Sequence, residues 1–254
     1  MYPKLFFENF WENKQENNLF VCMPFHGSLD GKFEKVIKPA AKASKFEDAK
    51  RVKEDWIANE ITFKILDGIA NSKLLLFDLS NDPKSPCKYS KQVNSNVLYE
   101  LGIANAMREP EDMLLIREQS SVRLPFDITG LNISEYKKED FTIEWLSKRL
   151  DVVLEKQKWF RSKRVKKVAQ LVDMNSITKI MMEYSHYPEG DDHFHIEEDD
   201  MPTKISVCRL MDLGILWLAS SFKLGSLPKE GRTINLAYRW TPFGYEVMKY
   251  LGIK

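Results

Sequence analysis

The chain has 254 residues, of which 43% are hydrophobic and 30% charged, with a formal net charge of +1. That apolar share can fill the core of one large domain or of two ordinary ones, and the balanced charge excludes a global pull toward nucleic acid or an anionic membrane. The three cysteines, Cys22, Cys87 and Cys208, are far apart and form no CxxC, which argues against a disulfide framework or a cysteine-rich zinc site and for a reducing cytoplasm.

The opening MYPKLFFENFWENK is aromatic but carries acids and has no small-residue cleavage pattern, so it reads as an amphipathic lead-in, not a signal peptide. No apolar run has the length of a membrane span. LFVCMPF, 19–25, is an apolar run stopped at Pro24, as expected of a buried parallel strand feeding a ligand-facing loop. LDGKFEKVIKPAAKAS has Phe33, Val36, Ile37 and Ala40 at helical spacing, with Pro39 placed to bend or shorten the helix. A weak strand follows at 49–52. WIANEITFKILDGI, 56–69, predicts an amphipathic helix closed by Asn71 and Ser72.

LLLFDL is then a strand, 80–93 a loop, and 98–107 a helix capped by Asn94, Ser95 or Asn96. MLLIRE, 113–118, is a strand, LPFDITGLNISEY a loop with an edge strand, and FTIEWLSKRLDVVLEKQ a closing helix. This alternation predicts an α/β domain with a doubly wound parallel sheet of about five strands.

Two carboxylates fall near the C-terminal edge of that sheet, where open α/β sheets bind ligands. Asp78 ends the LLLFD strand, and Glu100 lies among Leu98, Leu101 and Ile103 on the next helix. The layout predicts one cleft holding both. GxGxxG and GxxxxGK[ST] are both missing, which removes the dinucleotide fingerprint and the P-loop. A carboxylate on one ring face suits cleavage of a ribose–base bond through an oxocarbenium-like centre, and a second carboxyl can hold hydroxyls or handle protons. Apolar neighbours would raise the pKa of Glu100; a solvated glutamate favoured by the helix N-terminus is the alternative. Asp78 and Asp127 serve either as ligand contacts or as turn caps.

Met23, Pro24 and Phe25 form a strand-end loop that offers backbone N–H groups and a ring for base stacking, or a turn that happens to contain proline. Arg51 suits either a bidentate phosphate contact or a surface ion pair. His26 reads as an exposed loop histidine.

FVCMPF, Arg51, LLLFDLS, NSNVLYELGIANAM and LPFDITG followed by ISEY occur in this order and together resemble a bacterial branch of the nucleoside 2-deoxyribosyltransferase-like and TIR-like superfamily, over residues 18–150. The resemblance implies a flavodoxin-like fold and cleavage or transfer at the N-glycosidic bond of a nucleoside or nucleotide, NAD included as a substrate and with no cofactor. It implies that Glu100 is the catalytic residue, that Asp78 contacts ribose or base, and that Asn94 and Asn96 lie close to the sugar. It also implies a homo-oligomer, since such domains often complete their cleft with a neighbouring subunit.

After Gln157 the texture changes. Seven basic residues and no acid lie between Lys156 and Lys167, which places the domain boundary at 155/156. VKKVAQLVDM and SITKIMMEYS predict helices. HFHIEEDD, 193–200, puts two histidines on one face if it is a strand, but no third ligand stands at fixed spacing, so an acidic solvated loop without metal is expected. TKISVCRLMDLGIL predicts a helix ending at Gly214, WLASSF and INLAYRW two strands, and TPFGYEVMKYLG a last helix.

This order resembles a winged-helix domain, which implies DNA or RNA contacts through Arg161, Lys163, Arg164, Lys166, Lys167, Lys204 and Arg209; protein contact or dimerisation is the alternative. Taken together, the sequence predicts a cytoplasmic N-glycosidic enzyme, by analogy an effector of bacterial anti-phage defence. The competing expectation is a nucleotide-sensing module without turnover.

Overall fold

The apolar runs of the first half become the strands of one parallel sheet. In the computed structural model, which describes residues 16–52, 58–81, 92–120, 124, 128, 130–183, 194–195, 200–219 and 237–253, these strands are β1 (Glu16–Cys22), β2 (Asp48–Lys50), β3 (Ser72–Asp78), β4 (Met113–Glu118) and β5 (Ile133–Tyr136). Their order is β2-β1-β3-β4-β5 with every pairing parallel, the flavodoxin-like arrangement expected of the chain. Two compact units divide between Trp159 and Phe160, and the sheet belongs to the first.

Helices cover both faces of the sheet, which is why the central strands carry consecutive apolar residues, Leu19–Cys22, Leu74–Phe77 and Met113–Ile116, rather than alternating ones. On one face Leu19, Val21, Met23, Leu74, Leu76 and Ile116 pack against the helical stretch after β1 and against α5 (Ile143–Ala169). That helical stretch is α1 (Asp30–Lys32), a π-helical turn (Phe33–Ile37) and α2 (Lys38–Ala43). On the other face Phe20, Cys22, Leu75, Phe77 and Leu115 pack against α3 (Ala58–Asn71) and α4 (Ser95–Met107). Pro39 neither ends nor shortens the helix. It has no N–H to give the preceding turn, and that turn widens instead, with the Lys38 N–H bonded to the carbonyl of Phe33 five residues back. Helix α3 lies so close to the sheet that a Cβ on Gly68 would come within 2.2 Å of the Phe20 ring.

Arg108 fastens the opposite, N-terminal edge. Its guanidinium donates to the carbonyls of Ile69, Ala70, Ser72 and Lys73 where α3 turns straight into β3, and its Nε bonds Asp112 at 3.0 Å. Gln157 donates to Asp112 and to Lys73 from α5 and completes this buried knot.

In the second unit, α6 (Met174–Glu183), α7 (Met201–Asp212) and α8 (Pro242–Tyr250) pack with the end of α5 around a three-stranded antiparallel sheet ordered β6-β8-β7. These strands are β6 (Phe194–His195), β7 (Leu216–Ala219) and β8 (Ala237–Trp240). Thr241 caps α8 by accepting from the Gly244 N–H and donates to the Gly214 carbonyl at 2.6 Å. A Cβ at Gly244 would fall 2.3 Å from the Ile215 carbonyl oxygen, so only glycine fits where α8 meets the end of α7.

Two expectations are corrected. The closing helix of the first half does not stop near Gln157, and VKKVAQLVDM is not a helix of its own. The 27-residue α5 runs through the basic stretch to Ala169, because neither Gly nor Pro interrupts it and apolar residues are buried at both its ends, Leu146 and Leu150 in one core and Val165 and Val168 in the other. Nor is HFHIEEDD loop throughout. Phe194 and His195 pair with Tyr238 and Ala237, since the Phe194 ring finds a buried place beside Tyr238 and Trp240. The loop expected at 80–93 falls mostly outside the described residues, as does the lead-in.

Among the described residues no helix is long and apolar enough to cross a membrane. Arg108→Met should lower the stability of the chain to urea by about 3 kcal/mol, because several buried carbonyls lose their donor together; an unchanged midpoint would show that the knot contributes nothing.

Candidate active site

Helix α4 begins where the strand-end edge of the sheet needs it. Asn94 is the cap, its side chain accepting from the N–H groups of Asn96 at 2.9 Å and Val97 at 3.3 Å, and Asn96 itself is exposed. The helix then buries Val97, Glu100, Leu101 and Ala104, the spacing of a single core-facing stripe. A carboxyl therefore occupies a core position. Tyr99 is 62% exposed while Glu100 is only 6% exposed, the reverse of what solvation would choose.

Glu100 lies over the end of β1. Glu100 and Cys22 together line a small void of about 10 Å³ with Phe20, Phe25, Val52 and Ile65. Burial raises the Glu100 pKa from 4.5 to about 7, with the Cys22 thiol working to lower it. Burial, and then the neighbouring Glu100, push the Cys22 thiol well above its ordinary value, so the thiol keeps its proton. Near neutral pH the site thus holds a carboxyl balanced between acid and anion.

Asp78 is not in that void. Along β3 it shares the face of Leu74 and Leu76 and so points to the opposite side of the sheet from Cys22, Phe77 and Glu100. Asp78 and Glu100 therefore come to the C-terminal edge of the sheet from opposite faces. Asp78 is 1% exposed. It accepts from Lys32 Nζ at 2.5 Å and from the Ser80 N–H at 3.1 Å. Lys32 also donates to the Tyr136 hydroxyl, which lies 3.1 Å from Ser80 Oγ. Burial works to lower the Lys32 pKa, but Asp78 and Tyr136 outweigh it and hold the ammonium above its ordinary value. The network is closed: each charge has its partner inside.

The same face holds Arg51. It pairs with Asp30, its guanidinium lies 4.7 Å from the centre of the Phe33 ring, and Nη1 is 3.8 Å from the Met23 sulfur. Lys32 and Arg51 thus tie the helical stretch after β1 to the sheet from two sides. Between those ties runs the Met23-Pro24-Phe25 loop, with Met23 and Pro24 buried and Phe25 half-buried beside the Glu100 void. The His26 carbonyl accepts from the Leu29 N–H at 2.8 Å and closes the turn. Asp127 lies outside the described residues.

Cys22, Lys32, Ser80 and Tyr136 were not picked out from the sequence as site residues. A signal existed only for Cys22: alternation along LFVC puts it on the face of Phe20. Lys32 looked like any exposed lysine of an amphipathic helix, and its partner is 46 residues away in the chain.

Of the basic residues in the second unit, Arg161 pairs with Glu246 at 2.7 Å and Arg164 lies 5.0 Å from the centre of the Phe243 ring, both on α8. Lys163, Arg164, Lys166, Lys167 and Arg209 are exposed and Lys204 is half-buried. Among the described residues no group of three or more His, Cys, Asp or Glu is arranged to hold a metal ion.

Comparison with known families gives a match over part of the first unit. Residues 41–138 match the TIR domain of the CAP12/Pycsar effector proteins. The first unit is TIR-like. A search of curated proteins finds no match to the chain. The TIR match runs from α2 to just past β5 and takes in Arg51, Asp78, Asn94, Asn96, Glu100 and Asp127. It leaves out β1 with Cys22, the Met23–Phe25 loop, Lys32 and the whole second unit.

The folded TIR-like unit holds the Glu100 proton between pH 4.5 and about 7, where the unfolded chain has already released it, so stability falls as pH rises through that window. In Glu100→Gln the fall should vanish, the gap between variant and wild type widening by on the order of 3 kcal/mol from pH 4 to pH 8; parallel denaturation curves would show an ordinary glutamate. Asp78→Asn should destabilise by about 3 kcal/mol, because Lys32 is left buried without its counter-ion, and Lys32→Met in the same chain should recover much of that. A variant as stable as wild type would make Asp78 a ligand contact with no structural duty.

Proposed function

We propose that the TIR-like unit cleaves the N-glycosidic bond of a nucleotide such as NAD, or of a (deoxy)nucleoside, with Glu100 as the acting carboxylate. The observation that carries this reading is the buried carboxyl of Glu100, its pKa raised to about 7, over the end of β1 beside the β1/β3 switch point where doubly wound sheets take their ligands.

The chemistry follows from the charge. As the bond between C1′ and the base nitrogen breaks, positive charge grows on the sugar, and an ionised Glu100 in apolar surroundings stabilises it more strongly than a solvated carboxylate would. The base leaves with the bonding electron pair. For nicotinamide that pair neutralises the pyridinium, so the leaving group needs no proton; a neutral base needs an acid. Water or an acceptor hydroxyl then adds at C1′ and gives up a proton. NAD enters as substrate, and no cofactor is required.

In this reading Asp78 keeps the place of a candidate catalytic residue but acts by fixing the strand end and the loop after β1. Met23, Pro24, Phe25, Arg51, Asn94, Asn96 and Asp127 border the ligand. The effector description of the matching TIR family supports a role in anti-phage defence.

For the second unit we propose a winged-helix domain, with 1–155 and 156–254 as the two domains of the chain. The three-stranded antiparallel sheet and the helices preceding it support this. Lys166 and Lys167 are exposed, as phosphate contacts require. The exposed Met201 and Ile205 on α7 favour contact with protein, a second copy included. The cytoplasm is the expected location.

A second reading is that the cleft binds a nucleotide without turning it over. The small size of the void beside Glu100, about 10 Å³, and its mostly apolar lining favour it.

The two readings separate when the full chain is incubated with NAD and with nucleosides and the free base is measured by chromatography. Base release should appear, rise as pH passes through about 7 where Glu100 ionises, and fall by about 10³-fold or more in Glu100→Gln. Nucleotide binding by calorimetry with no base released would contradict the enzyme reading.

A further inference from the structure

Helix α5 carries an exposed face that the proposed reaction does not use. Between Lys156 and Lys167 the helix has seven basic residues and no acid, and Asp151 and Glu155 precede that run. At 3.6 residues per turn, Lys156, Lys163 and Lys167 form one row along about 16 Å of the helix, with Trp159 on one side of it and Phe160 on the other. All five are exposed. Trp159 is 55% exposed and Phe160 46%, although α5 buries Leu146, Leu150, Val165 and Val168. Arg161 and Arg164 serve within the chain, the first paired with Glu246 and the second set over the Phe243 ring. The lysine row and its two rings thus remain as one surface of a single helix. Large apolar groups held in water beside like charges mark a place of contact.

We propose that this face of α5 binds single-stranded nucleic acid, the lysine row following the phosphates while Trp159 and Phe160 stack on bases. Charge complementarity selects a polyanion, because a row of cations without acids matches a regular row of phosphates. The rings select a single strand, whose bases offer open faces that a duplex keeps stacked inside. An anionic lipid surface matches the lysines, but an interfacial helix needs a broad apolar face, and here two rings stand among cations. The exposed part of α7 is less suited to phosphate, since Met201, Ile205 and Asp212 accompany Arg209 there. The proposal goes beyond the phosphate contacts suggested for the second unit: it names the partner's strandedness and the groups that sense it, and it needs no winged helix.

The test uses the full chain and a fluorescein-labelled oligo-dT, followed by anisotropy over a range of salt concentrations. Unlabelled duplex of the same length and vesicles of anionic phospholipid are the competitors. Oligo-dT should bind, and both competitors should displace it poorly. The double variant Trp159→Ala, Phe160→Ala should bind on the order of tenfold more weakly, with its salt dependence unchanged. Lys163→Gln and Lys167→Gln should each flatten the slope of log K against log salt by roughly 0.7. These positions are exposed, so the thermal midpoint should stay at the wild-type value. Oligo-dT that fails to bind wild type, or binds every variant equally, overturns the proposal. Displacement by vesicles as efficient as by unlabelled oligo-dT overturns it in favour of a membrane surface. Duplex binding that outlasts all four substitutions, with no preference for the single strand, also overturns it while supporting the winged-helix contacts.

Discussion

A carboxyl group sits where α4 needs an apolar side chain. Val97, Leu101 and Ala104 define the stripe that α4 buries on the sheet, and Glu100 occupies the fourth place in it. Its exclusion from water opposes the charged form and leaves its pKa at about 7. Most of what surrounds it serves to keep it there. The Asn94 cap fixes the first turn of the helix, the apolar ends of β1 and β3 provide the floor, and Cys22 lines the void beside it. Natural sequences keep such a locally unfavourable choice where it does something else, and a half-ionised carboxyl at a ligand-binding edge is a chemical tool.

The other polar cluster at this edge has a different logic. Asp78, Lys32, Tyr136 and Ser80 satisfy one another, and the packing of Tyr136 against Phe141 and Trp145 shields them. Removing a partner from such a set leaves a charge stranded, so it holds geometry more than it reacts. What it holds is the start of the helical stretch after β1, which Arg51 and Asp30 fasten from a second side. The loop carrying Phe25 is stretched between those anchors and the void at Glu100. The sheet thus has one face with the paired charges of Asp78, Lys32 and Arg51 and another that buries the Glu100 carboxyl.

Much of this was legible in the sequence because it depends on local pattern. The apolar runs LFVCMPF, LLLFDL and MLLIRE marked the strands, and helical spacing marked α3 and α4. Glu100 stood out for the same reason that it matters physically, a charge among leucines. What stayed hidden depends on contacts between distant segments. Which face Asp78 points to follows from strand register, and its pairing with Lys32 requires knowing that α1 returns over β3. The continuity of α5 was missed because a change in charge was read as a change in structure, although backbone helicity does not depend on the sign of surface charge. Phe194 was missed because two residues between acidic neighbours carry too little pattern to mark a strand.

The division of labour between Glu100 and Asp78 is tested most directly by single-turnover base release from NAD, with Glu100→Gln and Asp78→Asn compared at a temperature where both are folded. Glu100→Gln should lose the chemical step. Asp78→Asn should keep its rate at saturating substrate within about tenfold of wild type and show its defect in substrate affinity. Equal loss of the chemical step in both variants would contradict the assignment and return Asp78 to the reacting centre.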